Sequence, residues 1–97
     1  MLHTVTTSPF QTAALADCLR YSSQNDAILL LQDAIIAAID ENNWCEALKK
    51  SGRKIYVLQE DIVARGLAGK VTSGFEVVDY NGFVLLSVEC ETQMKWQ

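Results

Sequence analysis

Glycine is absent from the one turn where a nucleotide-binding fold would need it. The opening run Leu2-His3-Thr4-Val5 is followed by Thr6-Thr7-Ser8-Pro9, so a first strand-to-helix turn offers no backbone cradle for a phosphate. An excess of cations is absent too. Eight Lys and Arg stand against twelve Asp and Glu, a formal net charge of −4. A chain without a concentrated positive field has little with which to displace the counterions of a nucleic acid, so direct nucleic-acid binding is not expected. The three cysteines, Cys18, Cys45 and Cys90, show neither C-x-x-C nor zinc-ligand spacing, and there is a single histidine. No metal or cofactor is expected, and thiols so spaced should stay reduced, as in the cytosol. No apolar run approaches the roughly 20 residues that cross a bilayer. The opening residues lack the basic n-region of a signal peptide, which leaves a cytoplasmic location and no membrane partner as the expectations.

What the 97 residues do hold is apolar bulk, 49% of the chain. One domain covering residues 1–97 is expected, and a chain of this size hides only roughly 60–65% of the surface its unfolded form exposes. Either Leu, Ile, Val and Ala fill a dense core or another subunit covers part of the surface. Both are expected.

The chain is organised around Ala27-Ile28-Leu29-Leu30-Leu31, an unbroken apolar run followed by Gln32-Asp33 and a second apolar set. Such a run reads as a strand buried on both faces, with Asp33 placed to cap a helix from Ala34 to Ile39. The pattern is written twice. Leu31-Gln32-Asp33-Ala34-Ile35-Ile36-Ala37 aligns with Leu58-Gln59-Glu60-Asp61-Ile62-Val63-Ala64 at Leu, Gln, Ile and Ala.

Other elements follow from local signals. Residues 2–5 read as a short strand. Ser8 as N-cap and Pro9 at the first helical position predict a helix from Pro9 to about Ser23, with Phe10, Ala14, Cys18 and Tyr21 on its apolar side. The asparagines Asn42-Asn43 suit the cap of a helix from Trp44 to Lys50, whose last-turn lysines complement the dipole. A third strand over Lys54–Leu58 leads into a helix from Glu60 to Arg65, closed by a left-handed Gly66. A loop over Leu67–Gly74 precedes a fourth strand at Phe75–Val78, and the tail from Thr92 suits an edge strand. Between residues 79 and 90 the signals conflict. Asn81-Gly82 between apolar runs favours a two-residue hairpin, whereas Asp79 as N-cap favours a helix burying Phe83, Leu86 and Cys90. Alternating strands and helices mean βαβ units, hence a largely parallel sheet with helices on both faces. Its strand carboxyl ends, where ligands gather in such folds, carry Thr6-Thr7-Ser8, Gln32-Asp33, Gln59-Glu60-Asp61 and Asp79.

Chemistry is sparse. Asp33, Glu60 and Asp61 have the donors for Mg²⁺ or for acid–base work, but helix capping and dipole complementarity account for all three. His3 has no sequence neighbour suited to a dyad and reads as a hydrogen-bonded structural histidine. A reactive thiol needs a helix N-terminus or nearby cations. Only Cys45, beside Trp44, has the helix setting, and Glu46 next to it opposes a thiolate. Cys18 on an apolar helix side and Cys90 ending an apolar stripe read as small hydrophobes.

Four blocks keep an order and spacing that resemble the TusB/DsrH family: Leu2-His3-Thr4-Val5 with Ser8-Pro9-Phe10; Leu29-Leu30-Leu31-Gln32-Asp33; Tyr56-Val57-Leu58 with Glu60-Asp61 and Ala64-Arg65-Gly66-Leu67; and Val78-Asp79-Tyr80 with Phe83-Val84. The resemblance implies a small three-layer α/β/α domain with a mainly parallel, about five-stranded sheet, and so a helix at residues 79–90. It implies a subunit of a sulfur-relay complex: a heterohexamer with TusC-like and TusD-like paralogues, two copies of each, passing persulfide sulfur through a TusE-like acceptor toward 2-thiolation of the tRNA wobble uridine. The DsrH-like alternative is the equivalent complex with DsrE and DsrF in sulfur oxidation. In the sulfur-carrying TusD or DsrE subunit the cysteine stands at the end of the third strand, before a short helix closing on Arg-Gly. Here Arg65-Gly66 closes that helix, and Leu58 and Gln59 occupy the cysteine's place, so the resemblance implies a non-catalytic subunit. Some DsrH-like sequences carry a cysteine in the first helix, which makes Cys18 the alternative sulfur acceptor and a persulfide carrier in its own right the alternative of enzyme class.

Overall fold

The apolar runs that read as strands assemble into one sheet. In a computed structural model, which describes residues 1–39, 42–90 and 92–97, the strands are β1 (Leu2–Val5), β2 (Ala27–Leu30), β3 (Lys54–Leu58), β4 (Glu76–Val78) and β5 (Gln93–Trp96). Their order is β4-β3-β2-β1-β5, and every neighbouring pair is parallel. The tail is an edge strand, as its composition suggested.

Register sorts the strand residues into two faces, because paired residues of adjacent strands point the same way and successive residues alternate. His3, Ile28 and Ile55 share one face with Val5, Leu30 and Val57; Thr4, Leu29 and Tyr56 share the other with Leu58 and Val78. The first face holds the main core. Val5, Leu30 and Val57 pack there with Leu15 and Cys18 of α1 (Ala14–Tyr21), Ile35 of a 3-10 helix (Gln32–Ala38), Leu48 of α2 (Asn43–Lys50) and Ile62 of α3 (Gln59–Ala64). Fully burying each such Leu, Ile or Val contributes about 1.5–3 kcal/mol.

Chirality explains why these helices lie together. From β1 to β4 each crossover steps one strand in the same direction, and right-handed crossovers in one direction fall on one face. The connection from β4 to β5 runs back across the whole sheet, so α4 (Tyr80–Glu89) takes the opposite face alone. There Gly82 lets the helix approach: a Cβ on it would lie 3.0 Å from Val78 Cβ. This settles residues 79–90 as a helix. Asp79 is its N-cap and accepts from the Gly82 amide at 2.8 Å. A tight turn at Asn81-Gly82 would have made the next strand antiparallel, whereas β5 is parallel and needs a crossover.

Several expectations are corrected. α1 starts at Ala14, not Pro9. The Ser8 carbonyl accepts from both Gln11 and Thr12, and the Ser8 hydroxyl from Phe10, closing a single turn that does not propagate. The Thr12 hydroxyl accepts from the Ala14 amide and so restarts the chain as a separate helix. Phe10, outside the helix, consequently lies exposed, whereas Tyr21, partly open to solvent, lays its ring against His3 and Trp96. Asp33 caps nothing, since the 3-10 helix has no side-chain cap. In α4, Phe83, Leu86 and Cys90 are only half-buried, and none of its residues is fully covered. α2, by contrast, is capped as expected, with the Asn42 side chain accepting from Cys45 at 3.0 Å. The acidic pair at 40–41, read as part of the break before α2, lies outside the described residues. No described helix is long and apolar enough to cross a membrane.

Edge strand β5 pairs only with β1, and a side-chain clasp completes its attachment. Trp96 Nε1–H donates to Nδ1 of the fully buried His3 at 3.1 Å, and His3 Nε2 lies 2.8 Å from Asp26 Oδ2. An indole N–H can only donate, so Nδ1 accepts and the proton sits on Nε2, which donates to Asp26. The Tyr21 ring packs edge-on to His3 and against Trp96. His3 is thus the structural histidine its sequence context suggested. Its hydrogen bond, outweighing partial burial and joined by the Ser23 amide, holds the Asp26 carboxyl well below the usual carboxylate range.

A carboxyl group with a lowered pKa stabilises the fold above the ordinary carboxylate range, and that contribution disappears as pH falls through the folded-state value. Asp26→Asn is expected to cost about 1–2 kcal/mol at neutral pH. The gap to wild type should begin to narrow only below about pH 4 and go on shrinking as pH falls toward the lowered folded-state value, which urea unfolding at neutral pH, about pH 4 and about pH 2 measures.

Candidate functional site

The carboxyl ends of β2, β3 and β4 converge at one edge, and three acids that read as helix caps turn out to tie separate elements together. Leaving β2, Gln32 adopts a left-handed φ of +53°, costly for a residue with a Cβ. Its amide donates to Asp61 Oδ2 of α3 at 2.6 Å. In return, Arg65 at the end of α3 reaches back to Asp33, Nη2 to Oδ1 at 2.7 Å. The two copies of the repeat are thereby cross-braced: each corner supplies a carboxylate to the other. Glu60 does the same for the next element, accepting from the Tyr80 amide that opens α4 at 3.1 Å. All three contacts are solvent-exposed, so each contributes no more than about 0.2–1 kcal/mol.

Sequence reading placed these acids at the right edge but gave them the wrong partners. Asp33 was expected to cap the helix at Ala34; instead the 3-10 helix already starts at Gln32, Asp33 lies within its first turn, and its carboxylate pairs with Arg65. Glu60 and Asp61 do sit in the first turn of α3, where they complement the dipole, but their hydrogen bonds go to Tyr80 and Gln32. The signal that was missed is the closing Arg65, a cation just over one full repeat from Asp33.

Two cavities open around Gln59. One, of about 470 Å³, is lined by Gln59, Glu60, Val63, Ala64 and Asp79. Another, of about 300 Å³, is lined by Gln59, Val63, Val71 and Val77 among others. A third, of about 260 Å³, lies beside the Asp33–Arg65 pair and Ser8. Leu58 is almost wholly buried at the end of β3, and Gln59 is exposed at the start of α3. Gln59, the first residue of α3, lies among carboxylates. Glu60, Asp61 and Asp79 surround it, while Arg65 is already paired with Asp33.

No described thiol reaches this edge. Cys18 is fully buried in α1, close to Arg53 and Asp26, which precede β3 and β2 at the amino end of the sheet. Burial pushes its thiol up to about 12, against a smaller opposing effect of Arg53. Cys45 is buried and its sulfur contacts the Thr72 hydroxyl. Cys90 caps the carboxyl end of α4, half-buried.

Comparison with known proteins agrees with this architecture. Residues 7–93 match the model of a family described as DsrH like protein. The protein TusB of Escherichia coli K12 is 44% identical over 96 residues, covering 99% of this chain and all of that protein; TusB of Escherichia coli O1:K1 / APEC is equally similar over the same span. Among solved structures, the ychN protein of Escherichia coli superposes with a TM-score of 0.77 at 14% identity, covering 97% of both chains. MTH1491 of Methanobacterium thermoautotrophicum, a protein of unknown function, gives 0.72 at 13% identity over 97% of this chain and 95% of that one. These two establish the fold.

The carboxylates around Gln59 make a specific demand on any thiol placed there. In Gln59→Cys the new thiol should titrate above the ordinary value of about 8.5. The pH dependence of its alkylation by iodoacetamide reads this directly, and a thiol titrating below that value would contradict the electrostatics described.

Proposed function

This chain belongs to the DsrH-like family, and from that premise we propose that it is a non-catalytic subunit of a TusBCD-type sulfur-relay complex serving 2-thiolation of the tRNA wobble uridine. Its partners are TusC-like and TusD-like paralogues, two copies of each in a heterohexamer, with a TusE-like acceptor reached through the complex. The chain acts there as one domain over residues 1–97, in the cytoplasm, without touching RNA itself; its net charge of −4 suits that role.

The observation that carries the reading is the chemically empty end of β3. Sulfur passes when a thiolate attacks the outer sulfur of a persulfide: the new S–S bond forms, the old one breaks, and the donor leaves as a thiolate with no net redox change. The attacking group must be a thiolate. Where the sulfur-carrying relative has its cysteine, this chain has Leu58, almost wholly buried, and Gln59 among carboxylates. Cys18, the alternative acceptor, lies fully buried at the other end of the sheet, its thiol too weakly acidic to ionise at neutral pH. Full-length similarity to TusB favours the tRNA pathway over the DsrEFH role in sulfur oxidation.

Two experiments test this. Tagged full-length chain, co-expressed with its TusC-like and TusD-like neighbours, is expected to bring both down in equal amounts; a monomer that ignores both would sink the proposal. Incubated alone with a persulfide donor, the chain should gain no sulfur by mass spectrometry. A one-sulfur adduct that vanishes in Cys18→Ser would make it a carrier instead.

A further inference from the structure

α4 is apolar on both sides. Its inner side leans on Val78 and the second face of the sheet, with Phe83 and Leu86 half-covered. Its outer side presents Tyr80, Val84, Leu85 and Val88, at i, i+4, i+5 and i+8, and Leu85 and Val88 are 63% and 77% exposed. A helix that is apolar all round is normally buried. This one lies alone on its face, so nothing within the described chain covers the outer stripe.

The rim of that stripe is of one sign. Glu60 and Asp79 stand at its start, Glu89 closes it, and both Glu76 and Glu89 act on the Tyr56 hydroxyl. All four are exposed. α4 itself contains no Lys or Arg, and Glu89 sits at the negative end of its dipole, where a cation is the stabilising neighbour. Lys54 shares a shallow cavity with Glu76, yet among the described residues none of the four acids forms an ion pair.

We propose that the outer stripe of α4 is a docking surface for a paralogous subunit that presents an apolar helical face flanked by Lys or Arg. Charge decides between this occupant and a second copy of the chain. Packed antiparallel, two copies of α4 would set Asp79 against Glu89; packed parallel, each acid would meet itself. Either way like charges face each other across an interface, which costs several kcal/mol. A partner with basic flanks instead pairs the rim and supplies the cation that the end of α4 lacks. The inference rests on the subunit role proposed above and names the surface that role uses.

The test uses the full chain as tagged bait in co-expression with the TusC-like and TusD-like subunits. Leu85→Glu and Val88→Glu, each at an exposed site, should lower capture about tenfold or more, while Phe10→Glu, in the exposed turn before α1, should not. Where a stripe variant melts below wild type by circular dichroism, the pair Glu76→Lys with Glu89→Lys leaves the stripe intact and must still weaken capture. Wild-type binding should also fall with rising salt. Undiminished capture by Leu85→Glu, or by the folded lysine pair, overturns the surface and leaves the subunit role standing. Failure of wild type to capture either subunit overturns the role and the surface together. The isolated chain should sediment as a monomer; a dimer dispersed by Leu85→Glu would show that the occupant is a second copy.

Discussion

Handedness of the crossovers governs this molecule. Four strands laid down in succession, β1 to β4, each one place along the sheet, oblige α1, the 3-10 helix, α2 and α3 to share a face. That face closes on itself: Val5, Leu30 and Val57 meet Leu15, Ile35, Leu48 and Ile62, all of them buried. The fifth strand must then be reached by a single return across the other face. One helix of ten residues is too narrow to roof five strands. Everything distinctive about the exterior follows from that shortage of cover.

The same return explains why the clasp at β5 matters. Four residue pairs along one edge hold so short a strand weakly, and β5 has a partner on one side only. Stacking Trp96 and Tyr21 against a buried imidazole, with Asp26 orienting that imidazole, adds side-chain anchoring to main-chain pairing. The last strand is thus held by residues from the first strand, the first helix and the entry to the second. That arrangement lets a chain with little spare core keep its last element in place.

Much of this was legible in the residues. β1 and β3 have the bounds their apolar runs implied, α3 closes at Gly66 in the left-handed region, and Asn42 caps α2. What failed did so where two local devices compete. Ser8-Pro9 is a sound helix start, yet Thr12 offers a second hydroxyl to the backbone and the first turn ends before it can propagate. Asn81-Gly82 is a sound hairpin turn, and only the long-range need for a parallel β5 makes it helical; here the family resemblance carried information that the residues in isolation did not. The cross-brace between Asp33, Arg65, Gln32 and Asp61 was illegible for a different reason. Each residue has an adequate local role, and nothing in a linear reading says that two repeats will exchange partners.

That exchange also bears on chemistry. The corner at the end of β3 is where a sheet of this kind usually recruits ligands, because strand ends and helix amides converge there. In this chain the amides are already answered: Gln32 by Asp61, Tyr80 by Glu60, Gly82 by Asp79. Carboxylates that brace the scaffold therefore also occupy the amides an anionic nucleophile would need, and Glu60 and Asp79 stand beside Gln59. A cysteine placed at Gln59 would have to form its thiolate among carboxylates. Structural bracing and sulfur chemistry make opposite electrostatic demands on one corner, and this sequence has resolved them in favour of the brace. The acids left over, exposed and unpaired beside α4, are then free to set the sign of what may dock there.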